Sequence, residues 1–346
     1  MGMEHTAIRC GTLPRGPKNK ISDVAGVTVG HATVLGERTR TGVTVVLPGT
    51  DNVFLNKRIA AAYVHNGFGK TLGTVQMQEL GTLETPIALT NTLNVGLVHD
   101  ALVGYTLDRC AADGTPCFSV NPVVGECNDC TLNDIARRAV HAEHVRSAIE
   151  TASADFAEGD IGAGAGTLCY GLKGGIGSAS RCVELDGTLY TIGALVLSNH
   201  ARFEDLILGG TPVRVLLDQS VPPHEDKGSI ITVLATDIPL SERQLRRLCR
   251  RALVGLSRTG SFCGNGSGEI VLAFSTANRV PHASERRLLT FGMLHDDAID
   301  PLFRAVAECV EESVLSSLLH AETVTGRNGR TVRSLAELLR ERKSLL

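Results

Sequence analysis

Short apolar runs separated by turn-forming residues dominate the first two thirds of the chain. Each run is bounded by Gly, Asp, Asn or Pro, and this pattern predicts strands. The predicted strands lie at residues 27–29, 42–47, 86–90, 115–120 and 189–197. A first helix is predicted at residues 55–63.

Helical periodicity is clearest after residue 131. Apolar residues such as Ile135 and Ile149 fall on one face of residues 132–151, which predicts an amphipathic helix there. Its N-cap is predicted at Asn133 or Asp134.

Strands and helices alternate in the last third of the chain. The first helix of this part has Ser241 at its N-cap and Gln244 at N3, which together make a capping box. Because the elements are mixed throughout and no long linker divides them, we predict one α/β domain over residues 1–346. The elements predicted in this part are strands at 229–236 and 269–274 and helices at 241–256, 301–319 and 332–345.

Composition narrows the classes of function. Hydrophobic residues make up 43% and charged residues 21% of the 346 residues, as in an ordinary globular protein. The net charge is −3, and aromatic residues are only 4%, without tryptophan. We therefore expect neither nucleic acid nor an anionic membrane as a partner, since both need a basic field and single strands also need stacking rings.

The apolar stretches, such as residues 230–235, are much shorter than the ~20 residues of a membrane-spanning helix. Residues 1–20 lack the apolar core of a secretory signal. We therefore expect a cytoplasmic protein whose ten cysteines are reduced thiols.

Cys127 and Cys130 form a C-x-x-C pair. No second pair and no spaced histidines follow that could close a zinc site. Two loop thiols are therefore favoured over a redox pair or part of a metal site, and we expect neither a metal nor a cofactor.

Ser229 is a candidate nucleophile. A proline-containing, charged loop at residues 220–227 is followed by Gly228, Ser229 and an uninterrupted β-type run, so Ser229 opens a buried strand. If the Gly228–Ser229 bond were cleaved, Ser229 would carry a free α-amino group, with a pKa near ~8, beside its own hydroxyl. Gly228 tolerates strained conformations and leaves its carbonyl open to attack. Spacing alone nevertheless favours an ordinary turn here.

Two further segments carry matching chemistry. Ser267 and Glu269 stand two residues apart where a loop enters a strand, so both side chains can share a face. Asn199 ends a buried strand with an amide, which is a suitable donor to an oxyanion.

Ordered motifs run through nearly the whole chain. They are Asn19-Lys-Ile-Ser-Asp-Val-Ala-Gly-Val-Thr-Val-Gly-His31, Thr41-Gly-Val-Thr44, Asn66-Gly-Phe-Gly-Lys70, Glu79-Leu-Gly-Thr-Leu-Glu-Thr-Pro-Ile87, Leu89-Thr-Asn-Thr92, Leu172-Lys-Gly-Gly-Ile-Gly177 and Arg258-Thr-Gly260. Together they resemble the family of L-aminopeptidase D-amidase/D-esterases and β-peptidyl aminopeptidases, which are self-processing serine N-terminal-nucleophile hydrolases. The resemblance implies an αββα four-layer sandwich that is cleaved at Gly228–Ser229 into an α fragment, 1–228, and a β fragment, 229–346, which stay associated, commonly in a homotetramer.

The resemblance also implies roles for single residues. Ser229 would be the nucleophile and the new N-terminus, and Ser267 would position and polarise it. Glu269 would orient this network and assist proton transfer. Asn199 would stabilise the tetrahedral oxyanion, and Glu126 would bind the free ammonium of the substrate.

The chain departs from the family pattern beside Glu126. The family runs close to Glu-Thr-x-Asp-Gly-x-Leu-Asn-Asp, where this chain has Cys127 in place of Thr and Cys130 in place of Gly. Some members place a tyrosine hydroxyl near the substrate from this segment, and Asn128 is its nearest counterpart. The departures therefore concern substrate preference, while Ser229, Ser267 and Glu269 are intact.

The resemblance predicts an autoprocessed aminopeptidase or amidase that releases N-terminal residues from short peptides, amides or esters through a Ser229 acyl-enzyme. Its partner would be a substrate with a free amino terminus. Acyl transfer to an amine, as in the related ornithine acetyltransferases, is one alternative, which a serine in place of their threonine disfavours. A non-catalytic binding protein of the same fold is the other, which the intact set disfavours.

Overall fold

The computed structural model describes residues 10–217 and 228–345. In chain order, this part contains strands β1 to β16 and α-helices α1 to α7. The loop predicted at 220–227 lies outside the described residues.

A six-stranded sheet forms the centre of the molecule. Its order is β4-β3-β14-β13-β10-β9, and neighbours are antiparallel except for the parallel pair β13 and β14. The strands are β3 (Asn56–Gly67), β4 (Thr82–Leu83), β9 (Ile176–Leu185), β10 (Thr188–Asn199), β13 (Ser229–Thr236) and β14 (Gly268–Pro281).

A four-stranded sheet, in the order β1-β2-β5-β6, packs against the first through one shared apolar cluster. It consists of β1 (Thr28–Leu35), β2 (Arg40–Leu47), β5 (Ile87–Thr90) and β6 (Val123–Glu126), of which β5 and β6 are parallel. Three short hairpins complete the described strands: β7 (Leu168–Cys169) with β8 (Leu172–Lys173), β11 (Ile207–Leu208) with β12 (Thr211–Pro212), and β15 (Val324–Thr325) with β16 (Thr331–Val332).

Helices cover the outer faces of both sheets. The helices are α1 (Thr74–Leu80), α2 (Val95–Ala112), α3 (Ala142–Glu150), α4 (Val213–Leu216), α5 (Glu242–Arg258), α6 (Asp300–Leu319) and α7 (Leu335–Leu345). α5 and α6 pack on the six-stranded sheet, and α2 and α3 pack on the four-stranded sheet. The fold is therefore an αββα four-layer sandwich, as the resemblance implies.

β13 illustrates why the central strands read as continuous apolar runs. All eight of its residues are buried. Ile230 and Leu234 face α5 and α6, whereas Ile231 and Val233 pack between the sheets. A strand covered on both faces has no solvent side and so loses the usual polar alternation.

The prediction of a helix at 55–63 is wrong, because this segment belongs to the central strand β3, which begins at Asn56. Ala60 and Ala62 pack between the sheets, and Ala61 points to the helical layer. Small side chains on both faces let the flanking layers approach, and this packing outweighs the helix propensity of alanine.

The helix predicted at 132–151 is too long. α3 covers only its second half, and a short 3-10 turn, Ile135–Arg137, stands in the first half. Arg138, with φ of 48°, interrupts the helix in the left-handed region. The N-cap of α3 is accordingly His141. Asp134 precedes the 3-10 turn instead, without a capping hydrogen bond from its side chain, and Asn133 donates to Asp129.

The strand predicted at 115–120 is also wrong, since this segment has no regular structure and β6 begins at Val123. Other predicted elements are confirmed within a few residues, including β2, β5, β10, β13 and α6, whereas β14 begins as predicted but continues to Pro281. Ser241 and Gln244 form the predicted capping box of α5. In the described part of the chain, no helix is both long and apolar enough to span a membrane.

Candidate active site

A row of residues crosses the six-stranded sheet where β10 and β3 end and β13 and β14 begin. Asn199, the last residue of β10, pairs with Ser229, the first residue of β13. On its other side Ser229 pairs with Gly268, the first residue of β14, and Gly268 pairs with Gly67 at the end of β3. Residues far apart in the sequence are thus direct neighbours along one edge.

Ser229 is only 6% exposed. It shares a strand face with Ile231, which packs between the two sheets, so its side chain points to the space between the sheets at the start of β13. Its hydroxyl donates to the carbonyl oxygen of Phe68 over 3.5 Å. This long hydrogen bond is a weak restraint on the hydroxyl.

The peptide that precedes Ser229 is held from both sides. The carbonyl oxygen of Gly228 accepts the N–H of Gly268 at 3.2 Å. The α-carbon of Gly228 lies so close to β10 that an added Cβ would stand 1.7 Å from the carbonyl oxygen of Asn199. Only glycine fits here, and the carbonyl that would be attacked already receives a polarising donor.

Ser267 and Glu269 meet, as their spacing predicts. Both side chains are buried, and the Ser267 hydroxyl donates to Oε1 of Glu269. The turn before them is fixed because the carbonyl oxygen of Gly264 accepts the Ser267 N–H at 2.8 Å and Nδ2 of Asn66 at 2.7 Å. Ser267 thus directly precedes β14, and Glu269 is the second residue of β14, where it pairs with Ile230, the residue after Ser229.

Asn199 is oriented by the short strand β7. Its side-chain oxygen accepts the N–H of Leu168 at 3.0 Å. This contact fixes the amide with its oxygen on β7 and its NH₂ group on the other side. Since Asn199 and Ser229 are cross-strand partners, their side chains are close enough to act on one bound group.

Glu126 belongs to the other sheet, at the end of β6. Its carboxylate accepts the backbone N–H of Lys70 at 2.9 Å through Oε1 and the hydroxyl of Thr92 through Oε2. The side chain is buried. A buried carboxylate held by two donors can bind a substrate ammonium without first being ordered.

Cys127 connects the two sheets. Its thiol donates to the carbonyl oxygens of Ser229, at 3.3 Å, and Leu197, at 3.4 Å. Burial raises the pKa of the Cys127 thiol well above its usual range, and the nearby carboxylates of Glu126 and Glu269 raise it further. Cys127 is therefore a neutral donor, with both candidate carboxylates close to it.

Cys130 is half-buried, and both cysteines of the C-x-x-C pair are free thiols. The backbone N–H of Cys130 donates to the side chain of Asn128 at 3.0 Å, which closes a local turn. Across the described residues, no group of three or more His, Cys, Asp or Glu side chains is placed to hold a metal ion.

The sequence gives no role to Phe68, Lys70, Thr92 or Gly268. Three of them act through backbone groups, namely the Phe68 carbonyl and the N–H groups of Lys70 and Gly268. Backbone donors and acceptors leave no side-chain signature in a single sequence. Thr92 is part of a motif of the resemblance, but its contact with Glu126 depends on the tertiary structure.

Comparison with known proteins gives consistent results. The model of peptidase family S58 matches residues 19–332. The beta-peptidyl aminopeptidase BapA of Sphingosinicella microcystinivorans is 38% identical over 348 residues, covering 92% of this chain and 86% of that protein. A crystal structure of a Pyrococcus horikoshii OT3 protein is 47% identical and superposes with a TM-score of 0.92, covering 99% of both chains. The L-aminopeptidase D-Ala-esterase/amidase of Ochrobactrum anthropi, described as a variant of the Ntn hydrolase fold, is 38% identical with a TM-score of 0.90 and 96% coverage of both chains.

Proposed function

The chain belongs to peptidase family S58, and we propose that it is a self-processed serine aminopeptidase or amidase in which Ser229 is both the new N-terminus and the nucleophile. It would release N-terminal residues from short peptides, amides or esters through an acyl-enzyme. The fragments 1–228 and 229–346 would remain associated, since β13 lies in the middle of the six-stranded sheet.

The observation that carries this proposal is the position of Ser229 at the start of β13, between Asn199 of β10 and Gly268 of β14. The pair Ser267 and Glu269 stands on one neighbouring strand, and Asn199 stands on the other. A hydroxyl, a polarising pair and an amide donor are the groups that nucleophilic acyl transfer requires.

Processing would begin with attack of Ser229 Oγ on the carbonyl carbon of Gly228. The new C–O bond forms, the Gly228–Ser229 C–N bond breaks, and the hydroxyl proton passes to the departing nitrogen. The N–H of Gly268 would stabilise the transient oxyanion on Gly228. Water then hydrolyses the ester, which leaves the Gly228 carboxylate and a free Ser229 amine and hydroxyl.

Turnover would repeat this chemistry on a substrate. The neutral α-amino group of Ser229 accepts the hydroxyl proton while Oγ attacks the substrate carbonyl. Asn199 donates to the tetrahedral oxyanion, and Ser267, held by Glu269, positions the nucleophile. The proton goes to the leaving amine, and water then releases the acyl group from Oγ.

Glu126 would restrict this chemistry to substrates with a free amino end. The hydrogen bonds from Lys70 and Thr92 hold its carboxylate in one orientation, which supports a role in binding an ammonium group. A blocked amine would lose a charge-assisted hydrogen bond and leave the carboxylate without its counter-charge.

Processing is tested on purified wild-type protein and Ser229→Ala by denaturing electrophoresis and N-terminal sequencing. The wild type should give fragments 1–228 and 229–346, with Ser229 as the second N-terminus, and Ser229→Ala should give one chain. A wild-type chain that stays intact while fully active would rule out the mechanism.

Specificity for the amino end is tested with leucine p-nitroanilide and its N-acetyl form. Acetylation should lower kcat/KM by ~10²-fold or more in the wild type, because a buried charge loses its partner. Glu126→Gln should lower kcat/KM for the free substrate, and the ratio of kcat/KM between the free and the acetylated substrate should become smaller. Equal wild-type turnover of both substrates would exclude an aminopeptidase.

We also propose a cytoplasmic homo-oligomer, a homotetramer of cleaved protomers. All ten cysteines are free thiols, which suits a reducing compartment. Exposed Leu288, Phe291 and Met293 cluster in one surface segment, which supports a contact between protomers there. Size-exclusion chromatography with light scattering measures the number of subunits.

A further inference from the structure

A short segment after β3 bridges the two sheets beside the candidate nucleophile. At its start, the carbonyl oxygen of Phe68 accepts from the Ser229 hydroxyl. Two residues later, the N–H of Lys70 donates to Glu126. At its end, Leu72 exchanges two backbone hydrogen bonds with Val124 of β6, at 3.0 and 3.1 Å. The segment therefore spans from the nucleophile to the carboxylate of the opposite sheet.

This path defines where a substrate's first residue would lie. In the proposed function, on which this inference rests, the substrate carbonyl is at Ser229 and the substrate ammonium is at Glu126. The first residue joins these two groups, so it must lie alongside residues 68–70. The side chains of that segment are consequently the nearest candidates to contact the substrate's own first side chain.

Phe68 offers an apolar surface at this place. Its side chain is 59% exposed although its carbonyl touches Ser229. An exposed aromatic ring beside a reactive group is typical of a ligand site. Gly69 adds no bulk, and a Cβ there would come within 2.9 Å of Ile270 Cδ1.

Lys70 adds a charge to the same surface. Its ammonium nitrogen lies 4.6 Å from the centroid of the Phe68 ring. This cation–π contact restrains the ring and keeps a positive charge beside it. A basic substrate side chain next to it would meet repulsion.

We propose that Phe68 and Lys70 select the side chain of the substrate's N-terminal residue, accepting apolar side chains through the Phe68 ring and disfavouring basic ones through the Lys70 ammonium. Both are specificity-determining residues and take no part in the bond changes at Ser229.

The test compares leucine, alanine and lysine p-nitroanilides, all with free amines. The wild type should prefer leucine over alanine and lysine. Phe68→Ala should reduce the leucine-to-alanine ratio of kcat/KM by about tenfold, since the leucine side chain of the substrate loses its apolar contact with the Phe68 ring. Lys70→Met should raise kcat/KM for the lysine substrate relative to leucine by about three- to tenfold.

Two further variants separate selection from folding. Phe68→Leu retains an apolar side chain and should keep most of the leucine preference. Phe118→Ala removes a ring that is even more exposed, at 94%, from the segment that precedes β6, and it should leave all ratios unchanged. A general loss of structure would lower activity on all substrates together without changing their ratios.

The outcomes distinguish this proposal from the proposed function. Unchanged ratios in cleaved Phe68→Ala and Lys70→Met would overturn the selection role, even if a free amine is still required. Equal turnover of acetylated and free leucine p-nitroanilide would instead overturn the aminopeptidase function itself.

Discussion

The thiol of Cys127 lies 3.3 Å from the carbonyl oxygen of Ser229, and it reaches there from the opposite sheet. It therefore fixes the backbone of the candidate nucleophile relative to Glu126, its neighbour in the chain. Burial keeps this thiol protonated, so it stays a donor.

Removing this donor should affect catalysis more than folding. Cys127→Ala is expected to lower kcat by about five- to tenfold, because Ser229 loses a backbone restraint, and Cys127→Ser should stay within about threefold of wild type. Both variants are measured on leucine p-nitroanilide after cleavage has been verified. The control is Cys249→Ala, which empties another fully buried cysteine site on α5. Equal kcat values for the two alanine variants would contradict a positioning role for Cys127.

Gly228→Ala should give an uncut, inactive chain. The new Cβ would stand 1.7 Å from the carbonyl oxygen of Asn199, so the peptide before Ser229 must move away from the Gly268 N–H. Electrophoresis under denaturing conditions measures the cleaved fraction. Gly96→Ala on α2, where nothing lies within 4 Å of the added Cβ, should be cleaved normally. Complete cleavage of Gly228→Ala would show that this peptide is not held as the structure has it.

Ser267→Ala and Glu269→Gln should each lower kcat by ~10²-fold or more, since in the proposed mechanism this hydrogen-bonded pair acts on the nucleophile as one unit. For the same reason, the double variant should be little worse than either single variant. Rates are compared on cleaved protein only, so that a processing defect is not counted as a catalytic one. Losses that simply multiply in the double variant would show that the two residues act independently.

Asp129 should make stability depend on pH. Burial raises the pKa of Asp129 to about 6, against hydrogen bonds from Thr41, Asn133 and Asn91 that lower it. The folded-state pKa is above the unfolded value, so the folded chain binds the extra proton between these values. Stability from this group therefore falls as the pH rises from about 4 to about 6.

The side chain introduced by Asp129→Asn cannot titrate, so the free energy of unfolding of this variant should not show this fall with pH. The free energy of unfolding of Asp129→Asn minus that of wild type should increase by about 2–3 kcal/mol between pH 4 and pH 7.5. Urea unfolding at several pH values measures this difference. A difference that does not change with pH would mean that Asp129 is already ionised in the folded protein at low pH.

Local patterns in the sequence were sufficient for elements whose burial matches their propensity. The capping box of Ser241 and Gln244 marks the start of α5, and the β-type run after Ser229 marks β13, because each signal lies within a few residues. The ordered motifs also identify the αββα architecture. β3 was predicted as a helix because alanine propensity is local, whereas its place between two packed layers is not.

Candidate side chains could likewise be named from the sequence, including Ser229, Ser267, Glu269, Asn199 and Glu126. The tertiary structure alone decided how they are held. The Phe68 carbonyl, the Lys70 N–H and the Gly268 N–H reach the site through strand register and a chain crossing between sheets. Every residue except proline has the same backbone donor and acceptor, so no residue type predicts which of them will converge. That convergence is set by packing between segments far apart in the chain.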